Sequence, residues 1–166
     1  MTVDVLVRRK IRDLVRDAAE DVLRESVPSL EGLDRAELWT FTVDGDADGL
    51  VNRVLAETTL VSNPNVHRWT FDVPSTEPAP GRSRIFVAVH DRVDAKGASV
   101  LRALRDRRGL AAVTSVRRAV LWTIDLEARR EDAEALARVV TGAGEHGAGL
   151  LANPHAQDVE TTVVSA

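Results

Sequence analysis

Val3, Val5 and Val7 alternate with other residues near the start of the chain, the period of two that buries one face of a strand. Val15, Ala18, Ala19, Val22 and Leu23 follow at spacings of three and four, which places them on one stripe of a helix. Alternation returns at Trp39, Phe41 and Val43, inside "LWTFTVD". Asp44 and Asp46 then supply the acidic start of a second helix, whose stripe is Ala47, Leu50, Val51, Val54 and Leu55. Asn63-Pro64 disfavours helix at the asparagine and predicts a turn, after which Trp69, Phe71 and Val73 alternate as a closing strand.

The same series then runs a second time. Ile85, Val87 and Val89 alternate, and Gly97, Val100, Leu101 and Leu104 form a helical stripe that ends at Gly109. Trp122, Ile124 and Leu126 alternate inside "LWTIDLE", with Trp122 standing 83 positions after Trp39. Glu131 and Asp132 open a helix with the stripe Ala133, Leu136, Ala137 and Val140. Asn153-Pro154 makes the turn and Val159, Thr161 and Val163 the last strand. The offset has grown to 90 at the Asn-Pro pair, and the added residues fit the glycine-rich stretch from Thr141 to Gly149.

Each half therefore reads as strand, helix, strand, helix, strand, with the middle strand able to bend into two. Such runs form a small sheet with its helices on one face. The expected fold is α+β: two tandem ferredoxin-like sandwich units over residues 1–74 and 83–166. Residues 75–82 are expected to link them, within a stretch that holds three of the six prolines. A half of this size buries little alone, so the two are expected to pack as an internal pseudo-dimer. Trp39 and Trp122 would then occupy pseudo-symmetric places in a core or at the seam.

Composition narrows the function classes. The formal net charge is −4, and the short basic runs at Arg8 to Lys10 and Arg105 to Arg108 build no face basic enough to predict nucleic-acid binding. Zero cysteines exclude disulfides, thiolate nucleophiles and cysteine-held metals, and fit a cytoplasmic location. "MTVDVLVRRK" lacks the apolar run of a secretory signal, and no segment is apolar enough to span a bilayer, so neither export nor membrane insertion is expected.

Candidate chemistry is sparse. No two of His67, His90, His146 and His155 share an i, i+4 spacing, so no histidine metal pair is expected. "DGDADG" from Asp44 superficially resembles a calcium loop, but Leu55 stands where its closing glutamate would fall. The glycines at 142, 144, 147 and 149 follow a helix and lead to a strand, the reverse of a phosphate loop. No catalytic, cofactor or metal residue is assigned in this chain.

"VDAKGASVLRAL" from Val93, "VTSVRRAVLWTIDLE" from Val113 and "LLANPHAQDVE" from Leu150 together resemble PurS, the small subunit of phosphoribosylformylglycinamidine (FGAM) synthase. The resemblance rests on Asp94 and Gly97 at a helix start, Val116 and Arg117 entering a strand, and Leu150, Leu151, Asn153 and Pro154 before an acidic strand. Leu60, Asn63 and Pro64 answer the last motif in the first half. Ala95 replaces the family's helix-opening proline, while Ala36-Glu37 and Ala119-Val120 stand where the family has Gly-Lys. The resemblance implies a non-catalytic scaffold that bridges an ATP-using PurL synthetase and a PurQ glutaminase and assists ammonia transfer in purine synthesis or a related specialised pathway. ATP and glutamine would be used by those partners, and Asn63, Pro64, Asp94, Gly97, Arg117, Asn153 and Pro154 would be partner-facing or motif residues; self-association is a further expectation. The alternative from another class is a small-molecule-sensing regulatory module built from paired ferredoxin-like units.

Overall fold

The computed structural model describes residues 1–72, 77–142 and 149–166. Val73 of the expected closing strand, Pro74, residues 75 and 76 of the expected linker, and residues 143–148 of the glycine-rich stretch, His146 among them, lie outside the described residues. The elements are β1 (Thr2–Arg9), α1 (Leu14–Ser26), β2 (Leu30–Val43), α2 (Ala47–Glu57), β3 (His67–Thr70), β4 (Ser83–Asp91), α3 (Ala95–Arg108), β5 (Val113–Leu126), α4 (Arg130–Thr141) and β6 (Gln157–Ser165). The strands form a six-stranded antiparallel sheet in the order β3-β1-β2-β5-β4-β6, and the fold is α+β.

Chain contacts divide the molecule into two compact units, each of which draws on both sequence repeats. The first unit comprises Met1–Arg12, Ala36–Val73 and Val93–Ala119. Its strand pairs include Val5 opposite Trp39, Val3 opposite Phe41 and Leu6 opposite Thr70. Val5, Val7, Trp39, Phe41 and Val43 bury one face of that sheet against Ala47, Val51, Val54 and Leu55 of α2. Val100 and Leu104 of α3, with Val113 and Val116 of β5, complete this core from the second repeat.

The second unit comprises Asp13–Arg35, Pro74–Arg92 and Val120–Ala166. Here β4 and β6 pair from Ser83 opposite Ser165 to Asp91 opposite Gln157. Ile85, Val87, Val89, Trp122, Ile124 and Leu126 pack with Ala133, Ala137 and Val140 of α4. The first repeat contributes Ala19 and Leu23 of α1 and Leu30 and Leu33 of β2 to the same core.

Helix ends follow local chemistry. Asp13, Asp46 and Asp94 are N-caps whose carboxylates accept backbone N–H groups of the first turn. Gly109 and Gly142 end α3 and α4 in the left-handed conformation that glycine adopts without a Cβ penalty. No side chain caps α4, where Glu131 and Asp132 place negative charge in the first turn instead.

Among the elements that depart from the expected pattern are α1, β2 and β3. The expected stripe of α1 is split, because Ala19 and Leu23 are buried while Val15, Ala18 and Val22 face solvent. β2 begins at Leu30, and its buried positions first recur every third residue at Leu30, Leu33, Ala36 and Trp39 before alternating through Phe41 and Val43. β3 is only four residues long; Trp69 within it is 38% exposed, and Phe71 lies beyond its end with its ring edge-on to Trp69 at 5.4 Å. A four-residue strand on the edge of the sheet has one hydrogen-bonded neighbour, so a bulky residue there gains little burial.

No helix among the described residues is long and apolar enough to cross a membrane.

Candidate functional site

In the first unit Asp94 joins a helix to a strand. Its Oδ1 accepts the Gly97 backbone N–H at 2.7 Å, and its Oδ2 accepts the Arg118 backbone N–H of β5 at 2.6 Å. The start of α3 is thereby held against β5, and Gly97 is the position where the two backbones meet. A Cβ built on Gly97 would lie 2.6 Å from the Val116 carbonyl oxygen and closer still to the Asp94 carboxylate. The aspartate and glycine, three apart, are a docking device for one helix on one strand.

The same helix start builds a charged cluster over Trp39. Lys96 Nζ donates to both Glu37 carboxylate oxygens at 3.0 and 3.2 Å, and Arg118 donates to Oε1 at 2.8 Å. Trp39, which has no solvent exposure, donates its Nε1–H to Glu37 Oε2 at 3.1 Å, while the Lys96 ammonium stands 5.4 Å from its ring centroid. Burial by itself would raise the Glu37 pKa. The hydrogen bond and charge of Arg118, followed by those of Lys96, reverse that and hold it at about 2. A carboxylate so low has no useful proton to give and little affinity for one near neutral pH, so Glu37 is a fixed anion and not a general acid or base.

The second unit solves the same local problem with other residues. Asp13 caps α1 through Oδ1, which accepts the Val15 and Arg16 backbone N–H groups, and its Oδ2 accepts the Arg35 Nη1–H at 3.0 Å. The Arg35 guanidinium lies 5.5 Å from the Trp122 ring centroid. Burial pushes the Asp13 pKa up, but the Arg35 hydrogen bond, then that of the Arg16 backbone, leave it below the usual carboxylate value. Trp39 and Trp122 each pair with a cation, Lys96 in one unit and Arg35 in the other.

The two Asn-Pro turns match bond for bond. Asn63 Oδ1 accepts Asn65 N–H at 3.0 Å, and Asn153 Oδ1 accepts His155 N–H at 3.0 Å. The Asn63 carbonyl accepts Val66 and His67 N–H, as the Asn153 carbonyl accepts Ala156 and Gln157 N–H. His67 Nδ1 accepts the Asn63 N–H, and Gln157 Oε1 accepts the Asn153 N–H. A basic residue after the first strand of each repeat clasps the proline carbonyl, Lys10 to Pro64 at 2.7 Å and Arg92 to Pro154 at 3.1 Å.

The structure thus brings Asp94, Gly97 and Trp39 into one neighbourhood, and puts Asn63-Pro64 and Asn153-Pro154 in equivalent turns. Arg117 is exposed, and the next residue, Arg118, makes the contacts. Asp13, Arg35, Lys96 and Arg118 carry no sequence motif of their own, and Glu37 stands out in the sequence only as a departure from the Gly-Lys of the resemblance. One signal could have found two of them: Arg35 and Arg118 both stand four residues before a Trp of an LWT tripeptide.

Among the described residues no group of three or more histidine, aspartate or glutamate side chains is placed to hold a metal ion. No protein-family model matches the chain, and no curated protein matches it.

Proposed function

We propose that this chain is a doubled PurS-like subunit, two ferredoxin-like units joined as an internal pseudo-dimer, that bridges a PurL-like synthetase and a PurQ-like glutaminase in the cytoplasm. The observation that carries the reading is the matching of the two Asn-Pro turns, since residues that carried the resemblance do one structural job in both repeats. Asp94 and Gly97 support it from a second motif, because their spacing locks a helix start onto a strand. Two cores that each need both repeats fit a chain carrying in one polypeptide what two separate copies would otherwise make.

On this reading ATP, glutamine and the nucleophile belong to the partners, and the chain's part is to hold them in register for ammonia transfer. Both repeats lack the family's lysine, at Glu37 and Val120, and in the first repeat the position is taken by a carboxylate pinned by Lys96 and Arg118, so partner contacts through that lysine have changed in both. The test is co-purification of the full chain with the synthetase-like and glutaminase-like proteins of its source, followed by glutamine-dependent amidine formation with and without it. Formation of a three-component complex with higher glutamine-dependent turnover is expected. Association with neither protein would refute the bridge, and a thermal shift with an amino acid or nucleotide in its place would favour the sensing module.

A further inference from the structure

The outward face of α1 is apolar without serving the core. Leu14, Val15 and Val22 are 67%, 58% and 51% exposed, and Ala18 between them is exposed as well. At 100° per residue these four fall within about a 100° arc, separate from the buried pair Ala19 and Leu23. Exposed large aliphatics gathered on one stripe mark an interaction surface, whereas single ones are ordinary.

The second repeat provides an internal control. α3 starts 81 positions after α1, and the core positions correspond: Val100 for Ala19 and Leu104 for Leu23, both buried. At the outward positions α3 carries Ala95, Lys96, Ser99 and Ala103 where α1 carries Leu14, Val15, Ala18 and Val22. The fold therefore does not require large aliphatics there, and something other than folding accounts for them in α1.

Charge around the stripe favours one kind of occupant. Asp17, Asp21 and Glu25 run down one edge at i, i+4 and i+8; Asp17 is paired with Arg16, the neighbouring Arg24 is paired with Glu20, and Asp21 and Glu25 are exposed. A second copy of α1 would bring a further acidic edge to the contact, and an anionic lipid surface would be repelled. We propose that this face binds an amphipathic helix of a protein partner whose apolar stripe is bordered by lysine or arginine on the edge that meets Asp21 and Glu25. The proposal is independent of the bridging reading, since it concerns the first repeat's helix whichever protein supplies the partner helix.

The experiment uses the full chain and two fluorescent helical peptides sharing one leucine stripe, one with a lysine edge and one with a glutamate edge. Fluorescence anisotropy should show the lysine-edged peptide binding at least tenfold more tightly, with the preference shrinking as salt rises. Leu14→Asp with Val22→Glu should abolish binding, and these exposed changes should leave the circular dichroism spectrum and melting temperature intact. Asp21→Lys with Glu25→Lys should invert the preference, whereas Ser99→Glu on α3 should change nothing. Equal binding of both peptides, binding of neither, or persistence after Leu14→Asp with Val22→Glu overturns the proposal. Sedimentation showing a dimer that Val22→Glu dissociates would overturn it in favour of a second copy.

Discussion

Replacing Gly97 with alanine tests whether the Asp-x-x-Gly spacing is a docking device or a mere helix start. In an open helix the change would stabilise by about 0.5–1 kcal/mol, because alanine restricts the unfolded chain and suits the helix. Here the added Cβ would sit 2.6 Å from the Val116 carbonyl oxygen, a backbone atom that cannot swing away, and would also collide with the Asp94 cap. Overpacking of that kind costs about 1–3 kcal/mol. Loss of the cap adds about 1 kcal/mol. The net expectation is a loss of about 2–3 kcal/mol, and at roughly 2–4 °C per kcal/mol for a chain of this size the melting temperature falls by about 5–10 °C. Gly49→Ala is the matched control: a Cβ there meets only the Asp46 side chain, which can rotate, so cap loss and helix gain should cancel to within about 0.5 kcal/mol. Thermal melts by circular dichroism and urea titrations with unchanged slope would measure both. The reasoning fails if Gly97→Ala is no less stable than Gly49→Ala.

Two more outcomes follow from the charged cluster and the turns. Because the folded pKa of Glu37 lies near 2, below the ordinary 4.5, its contribution is complete above about pH 4.5 and is lost as pH falls toward 2. Glu37→Gln should cost on the order of 1–2 kcal/mol at pH 7, leaving Lys96 and Arg118 without their anion, and denaturant titrations should show that gap closing as pH falls from about 4.5 toward 2. Asn63→Ala and Asn153→Ala should each cost about 1 kcal/mol for the lost turn bond. The double variant should add within about 0.5 kcal/mol, since the two turns share no partner; strong non-additivity in chemical unfolding would contradict that.

Where burial follows a pure period, the sequence was readable. Ala47, Val51, Val54 and Leu55 of α2, and Ala133, Ala137 and Val140 of α4, are buried as their spacing predicts. The first part of β2 was not, because burial every third residue at Leu30, Leu33 and Ala36 matches neither the strand nor the helix template. α1 misled for a different reason: periodicity shows that one stripe is apolar but not how much of it the core covers. At the candidate site the motif residues Asp94, Gly97, Asn63 and Asn153 stood out as punctuation, since caps and turns are local in sequence. The cations around them did not, Arg118 on Glu37, Arg35 on Asp13, Lys10 on the Pro64 carbonyl and Arg92 on the Pro154 carbonyl, because an arginine or lysine engaged across 22 or more positions looks like any surface cation.

The interleaving of the repeats also sets a timetable for synthesis. The core holding Trp39 needs Val100, Leu104, Val113 and Val116, so no ribosome that has released only the first repeat can have closed it. The other core must wait for Leu151 and Ala152. The chain must therefore extend to Val116 before the first core is complete and to Ala152 before the second, which makes for slow, non-local folding and a demand on chaperones. The same arrangement constrains change: a deletion in either half of the chain would remove part of both cores, so neither half could be discarded while the protein stayed folded.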